Sequence, residues 1–330
     1  MKRLTITLAC APYDRIMPMV IGQVPLEGFD LIYLPLEVEE IFWRQIRYGE
    51  FDVSEMSLST YVLSRSKGDD RFIAIPVFPS RMFRHSSIFV NIEKGISKPG
   101  DLKGKTVGVP EYQLTAIVWV RGILQDHYGI SPQDVKWRAG GLETPGRKEK
   151  VEIELPSAID YAPIPENKTL SDMLAQGEID ALISPREPSC FIKGNPKVKR
   201  LFENYRTEEE NYFKQTGIFP IMHTIVMKCS LYERHPWLAQ SLFKAFELSK
   251  RICVENLKKM NACYATLPWL HAEIENTIKI MGFDYWPYGI RENEHVLATF
   301  LRYSYEQGLA KRLMSVEELF APETTETFAI

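Results

Sequence analysis

Hydrophobic and polar positions alternate through RLTITLAC, residues 3–10, and that period of two predicts a first β-strand. After Gly28 the run FDLIYLPL repeats the strand signal, and EVEEIFWRQIRYGE then shifts to a helical period. The series continues with the strand FDVSEMS, the helix LSTYVLSRSKG and the strand FIAIPVF. Gly49 and Gly68 stand where helix C-terminal caps are expected. A run of β-α units with short links predicts a largely parallel sheet.

From residue 86 the alternation starts again: the strands SSIFVNI and TVGVP, the helix LTAIVWVRGILQDHYG, the strand DVKWRA, the helix TLSDMLAQGE and the strand IDALIS. Between them the polar stretch GLETPGRKEKVEIELP, residues 141–156, reads as a surface excursion or hairpin and as the least ordered part of this region. The strand IMHTIVMK, residues 221–228, is followed by mostly helical pattern punctuated by Pro236, Pro268 and Pro287. FIAIPVF and IMHTIVM are then the two crossings between lobes, with the C-terminal helices packing on the first. The expectation is a two-lobed α/β protein, each lobe a mostly parallel sheet flanked by helices. Residues 1–85 and 222–330 form one lobe and 86–221 the other. Its ligand belongs in the interlobe cleft, at strand C-terminal ends.

Composition narrows the partner. With 45% hydrophobic and 25% charged residues and a formal net charge of -3, the chain offers no bulk attraction for nucleic acid or acidic membrane. No window approaches the roughly 18 apolar residues of a membrane span. The N-terminus reads as a strand rather than a secretory segment, because Thr5 and Thr7 interrupt its apolar run. The five cysteines are scattered without CxxC spacing, as free thiols in a reducing cytosol would be, so a cytoplasmic location is expected. The expected partner is a small molecule, with assembly into a homo-oligomer left open.

The densest chemistry lies in residues 75–90, IPVFPSRMFRHSSIFV, where Arg81, Arg84 and His85 crowd between two strand signals. Arginine grips a carboxylate through parallel hydrogen bonds and histidine changes charge near neutral pH, so the cluster suits a small acidic ligand. A solvated hinge whose cations pair with nearby acids is the alternative. The predicted cleft also collects Tyr13 and Asp14, Ser54, Glu55 and Ser57, residues 111–115, residues 184–186 and His223. In GVPEYQLTA a strand feeds a helix whose free N–H groups suit an anion, with Gln113 and Thr115 as added donors, or the segment is a plain helix cap. Arg186 either covers the cleft or sits on a Pro-rich surface turn, and His223 is either a site residue or a satisfied core histidine. No P-loop, GxGxxG, GxSxG or zinc-ligand pattern occurs, so neither a cofactor nor a metal is called for.

Taken in order, FDVSEMSLSTYV, FIAIPVFPSRMFRH, DLKGKTVGVPEYQLTAIVWVRGIL, DALISPREP, the segment from PIMH to PW, and WPYG resemble the 4,5-dihydroxyphthalate decarboxylase family. The resemblance implies a type II periplasmic-binding-protein-like fold, shared with nitrate and taurine receptors. It also implies that Arg81, Arg84, His85, Glu111, Tyr112 and Gln113 belong to the site. The reaction it implies is non-oxidative: 4,5-dihydroxyphthalate, a small aromatic carboxylate, loses CO2 to give protocatechuate. On that basis Arg81, Arg84 and Arg186 are expected to hold carboxylates, with Tyr112, Gln113, Thr115 and Ser57 as further binding residues. His85 or His223 is expected to protonate the ring carbon, and Glu111 or the other histidine to take a phenolic proton. The competing expectation is the substrate-binding protein of an ABC-type transporter for a small organic anion, which the fold alone permits equally.

Overall fold

The computed structural model describes residues 3–325. Along the chain run β1 (Leu4–Ala9), α1 (Met17–Val20), β2 (Phe29–Leu34), α2 (Val38–Tyr48), β3 (Val53–Ser57), α3 (Leu58–Ser66) and β4 (Phe72–Arg81). There follow β5 (Ile88–Asn91), β6 (Thr106–Val109), α4 (Thr115–Tyr128), β7 (Lys136–Ala139), β8 (Tyr161–Pro163), α5 (Leu170–Gln176), β9 (Ala181–Ile183), α6 (Ser189–Ile192) and β10 (Val198–Arg200). The chain closes with α7 (Tyr205–Thr216), β11 (Ile221–Lys228), α8 (Cys229–Tyr232), α9 (Trp237–Leu257), α10 (Leu270–Met281) and α11 (Glu294–Glu306).

These strands form two sheets, one in the order β2-β1-β3-β11-β4 and one in the order β10-β5-β9-β6-β7-β8. β1 pairs in parallel with β2 and β3, and β6, β7, β8 and β9 make the parallel part of the second sheet. Antiparallel pairing is confined to pairs involving β11 or β5, the strands beside the crossings. A strand that enters a sheet from the other lobe, rather than through a helical crossover, is free to run against its neighbours. β4 is an edge strand, and so tolerates Pro76 and Pro79, which cannot donate to a ladder. The β11–β4 register shifts on both sides of His223, an irregularity of the kind that re-aims a side chain.

The C-terminal helices do not all stay with the first sheet. α9 packs on α1 and β4, whereas α11 lies across both α3 and α4. Gly122 of α4 permits that approach, since a Cβ there would stand 2.1 Å from the Tyr303 ring of α11. Fully buried Arg121 donates to Gln307 Oε1 at 2.8 Å and to the Tyr112 carbonyl at 2.9 Å, tying the end of α11 to the turn before α4.

Candidate active site in the interlobe cleft

The first-sheet side of the cleft is built at the C-terminal end of β3 and its neighbour β11. His223 faces Ser57 in the β3 register and Ser80 in the β4 register. Its Nδ1 lies 2.5 Å from Glu55 Oε1, while Nε2 has no partner among the described residues and the side chain keeps 16% exposure. The Phe42 ring of α2 meets the imidazole edge-on, closing its apolar side. Glu55 is fully buried, which by itself raises a carboxyl's pKa. The charge of His223 and hydrogen bonds from His223, from the Tyr13 hydroxyl and from the Ala11 N–H reverse that and hold it below the usual carboxylate range. The result is an anion that orients one histidine, leaving the other ring nitrogen free.

Across from the dyad, Ser57 Oγ and Thr115 Oγ1 are 2.9 Å apart, and Thr115 Oγ1 also accepts from the Ser59 N–H. This clasp joins the end of β3 to the start of α4. Two cavities have linings that adjoin these residues along the chain. One of about 380 Å³ is lined by Glu39, Leu114, Gly141, Arg147, Ser184 and Arg186 among others, and one of about 400 Å³ by Arg81, Ser86, Ser184, Arg200, Tyr205 and Glu209 among others. They share Ser184 and Pro185. Neither lining includes the dyad itself; Leu114 of the first cavity precedes Thr115 in the chain, and Arg81 of the second follows Ser80, the β4 register partner of His223.

Residues 140–160 contain no helix or strand, so they form no hairpin; the segment runs over the surface as expected, with residues 143–146 and 156–158 exposed, but it is tied down along its length. Arg147 donates to buried Glu111 at 2.6 Å and to Glu39 of α2 at 3.2 Å. Lys150 Nζ reaches Glu111 at 2.6 Å, and Glu149 accepts the N–H groups of Tyr112 and Gln113. Lys67 donates to the Glu152 carbonyl and Lys311 pairs with Glu154. The segment is therefore a strap from the second sheet across to the first, and it roofs the first cavity.

Several expected contacts are not made, for reasons of packing. Arg81 reaches the wall of the second cavity, but its guanidinium donates to the carbonyls of Phe219 and Pro287 and to Asn293 Oδ1, and burial lowers its pKa to about 9. Arg84 is buried with Met222 Sδ as its hydrogen-bond partner, its pKa lowered to about 10 by burial. His85 packs against Phe202 and Tyr212 beside a void of about 10 Å³, far too small for a substrate, and burial lowers its pKa to about 4. All three are buried, so they are not a solvated hinge, and of the three Arg81 lines a cavity with room for a small ligand. Tyr112 is buried under the Arg121 guanidinium, Gln113 donates to the Val151 carbonyl, and Glu111 is neutralised by Arg147 and Lys150. The N–H groups expected to face a ligand anion at the turn before α4 are instead taken by the Glu149 carboxyl of the same chain, whose pKa burial raises.

Of the expected residues, Arg81 and Arg186 line the two cavities, and His223, Ser57 and Thr115 come together where β3 meets β11 and α4. Arg186 is 64% exposed and lies 3.7 Å from Glu39. Arg147 and Glu209 were not anticipated. Nor was the role of Glu55, whose partner is 168 residues away in sequence. Among the described residues no cluster of three or more His, Cys, Asp or Glu side chains is arranged to hold a metal ion.

No protein-family model matches the chain. Over its full length, however, it is 44% identical to the 4,5-dihydroxyphthalate decarboxylase of Comamonas testosteroni, covering 100% of both proteins. The chain belongs to the 4,5-dihydroxyphthalate decarboxylase family. A second member of this decarboxylase family, from Pseudomonas putida, is 45% identical over 214 residues, 65% of this chain and 83% of that one. The fold is that of type II periplasmic binding proteins: the periplasmic sulfonate-binding protein SsuA of Methylobacillus flagellatus KT superposes with a TM-score of 0.55 at 13% identity, covering 98% of this chain and 93% of that one. The transport-receptor alternative thus rests on fold likeness alone, whereas the decarboxylase family is shown by sequence over the whole chain.

Proposed function

We propose that this chain converts 4,5-dihydroxyphthalate to protocatechuate and CO2, with His223 as the acid that protonates the ring. In that substrate each carboxylate lies para to a hydroxyl. Loss of the phenolic proton pushes an electron pair toward the carbon that bears the departing carboxylate, and that carbon takes a proton from His223 Nε2. The C–C bond of the resulting dienone then breaks, its electrons restore the aromatic ring, and CO2 leaves. The ring is its own electron sink. Arg147 and Arg186 are the cations we assign to the carboxylates, and Glu209 is our choice for the phenolic proton. Burial raises the Glu209 carboxyl to about 7, which suits proton transfer near neutral pH.

The observation that carries this reading is His223, held by an ionised Glu55 on one nitrogen and without a partner on the other. With 4,5-dihydroxyphthalate as substrate, His223→Asn should lose about 100- to 10,000-fold in kcat while KM stays near the wild-type value. An Asn variant with wild-type turnover removes His223 from the chemistry. A cytoplasmic location belongs to the same proposal, supported by five cysteines that are all unpaired.

A further inference from the structure

Glu55 receives more donors than a histidine–carboxylate pair needs. Its Oε1 takes the Tyr13 hydroxyl at 2.7 Å beside His223 Nδ1, and its Oε2 takes the Ala11 N–H at 3.1 Å and lies 3.5 Å from Cys10 Sγ. All three additional donors come from the turn that follows β1. We propose that Tyr13 is the positioning residue of the site: its hydroxyl keeps Glu55 anionic with Oε1 aimed at His223 Nδ1, so that Nε2 is presented to the cleft. The inference rests on the acid role given to His223.

An ionised carboxylate accepts on both oxygens, whereas a protonated one gives up part of that capacity. Two donors converging on Oε1 therefore fit the anion. The Tyr13 ring is fixed independently of its hydroxyl: the Arg15 guanidinium lies 4.2 Å over it and 4.3 Å over the Trp286 ring, and Arg15 Nε donates to the Pro79 carbonyl at 2.6 Å. Phenylalanine at position 13 would keep that stack and lose only the donor. The other titratable or charged groups facing the dyad are Cys10 and Arg15 from the same turn and Tyr33 from β2. Burial pushes the Cys10 thiol and both tyrosine hydroxyls well up, leaving Arg15 as the charged neighbour, and the substitution does not alter it. Phe42, the contact from α2, is apolar.

The test is Tyr13→Phe, followed by steady-state kinetics across pH and by NMR of protein with ¹⁵N-labelled histidine, the His223 signal being assigned by its loss in His223→Asn. A hydrogen bond to a charged group predicts a kcat loss of about tenfold or more with KM changed less than about twofold. It also predicts that the His223 Nδ1 proton signal and the rate–pH profile both move from their wild-type positions. Unchanged kcat with an unchanged His223 titration overturns the proposal, as does a loss carried mainly by KM. So does a wild-type protein in which His223 gives no hydrogen-bonded Nδ1 proton. If His223→Asn keeps full turnover, the acid role fails, while the His223 titration in Tyr13→Phe still decides whether Tyr13 positions the ring.

Discussion

At the scale of single residues, charge burial decides the chemistry. Glu55 is stable as a buried anion because donors surround it, and Glu55→Gln should cut kcat by at least about 100-fold by removing the charge that supports the imidazolium. Because its folded pKa lies below the unfolded one, Glu55 adds stability that is present above the unfolded value and lost as pH falls through the folded value. Glu209 has the opposite sign. With its pKa raised from 4.5 to about 7, the folded state binds more protons than the unfolded state across that window, so its contribution to stability falls as pH rises from 4.5 to about 7. Urea denaturation should therefore show the wild type losing stability over that range relative to Glu209→Gln. Parallel curves would remove the burial argument for Glu209. For His223 the sequence offered its place at a predicted crossing but left a site residue and a satisfied core histidine both open. Glu55 could be placed in the cleft but given no role, because only the register of β3 against β11 brings it to His223.

The elements divide into those with a period and those without. Strands such as RLTITLAC and helices such as EVEEIFWRQIRYGE announce themselves through alternation, and Gly49 caps α2 in the left-handed region at φ 56° as expected. The crossing segment was legible as a place but not as a site, since burial among Phe202, Tyr212 and backbone carbonyls, not sequence, turns Arg81, Arg84 and His85 inward. The strap had no such signal. Its order comes from ion pairs with residues far away in sequence, chiefly Glu111 and Glu39. Arg147→Met should leave the buried Glu111 carboxylate with Lys150 alone, lowering the urea midpoint and raising KM for the diacid more than it lowers kcat. A variant with wild-type KM would detach Arg147 from substrate binding. Gly122→Ala tests the α4–α11 contact: the added methyl meets the Tyr303 ring, and a loss of about 1–3 kcal/mol in unfolding free energy is expected.

At the scale of the whole molecule, two sheets meet along a cleft bridged by Ser57–Thr115, by the strap and by α11. We propose the lobes as residues 1–85 with 222–330 and residues 86–221, a division supported by sheet membership, with α11 bracing the two. A fold shared with sulfonate receptors supplies the cleft, and the chemistry we propose within it needs only an acid, a base and cations for a ring that stores its own electrons. The most direct test is to incubate the purified protein with 4,5-dihydroxyphthalate in heavy water and analyse the products. The account predicts CO2 and protocatechuate in equal amounts, with one deuterium on the ring carbon that lost its carboxylate. Tight binding with the diacid recovered unchanged would contradict it.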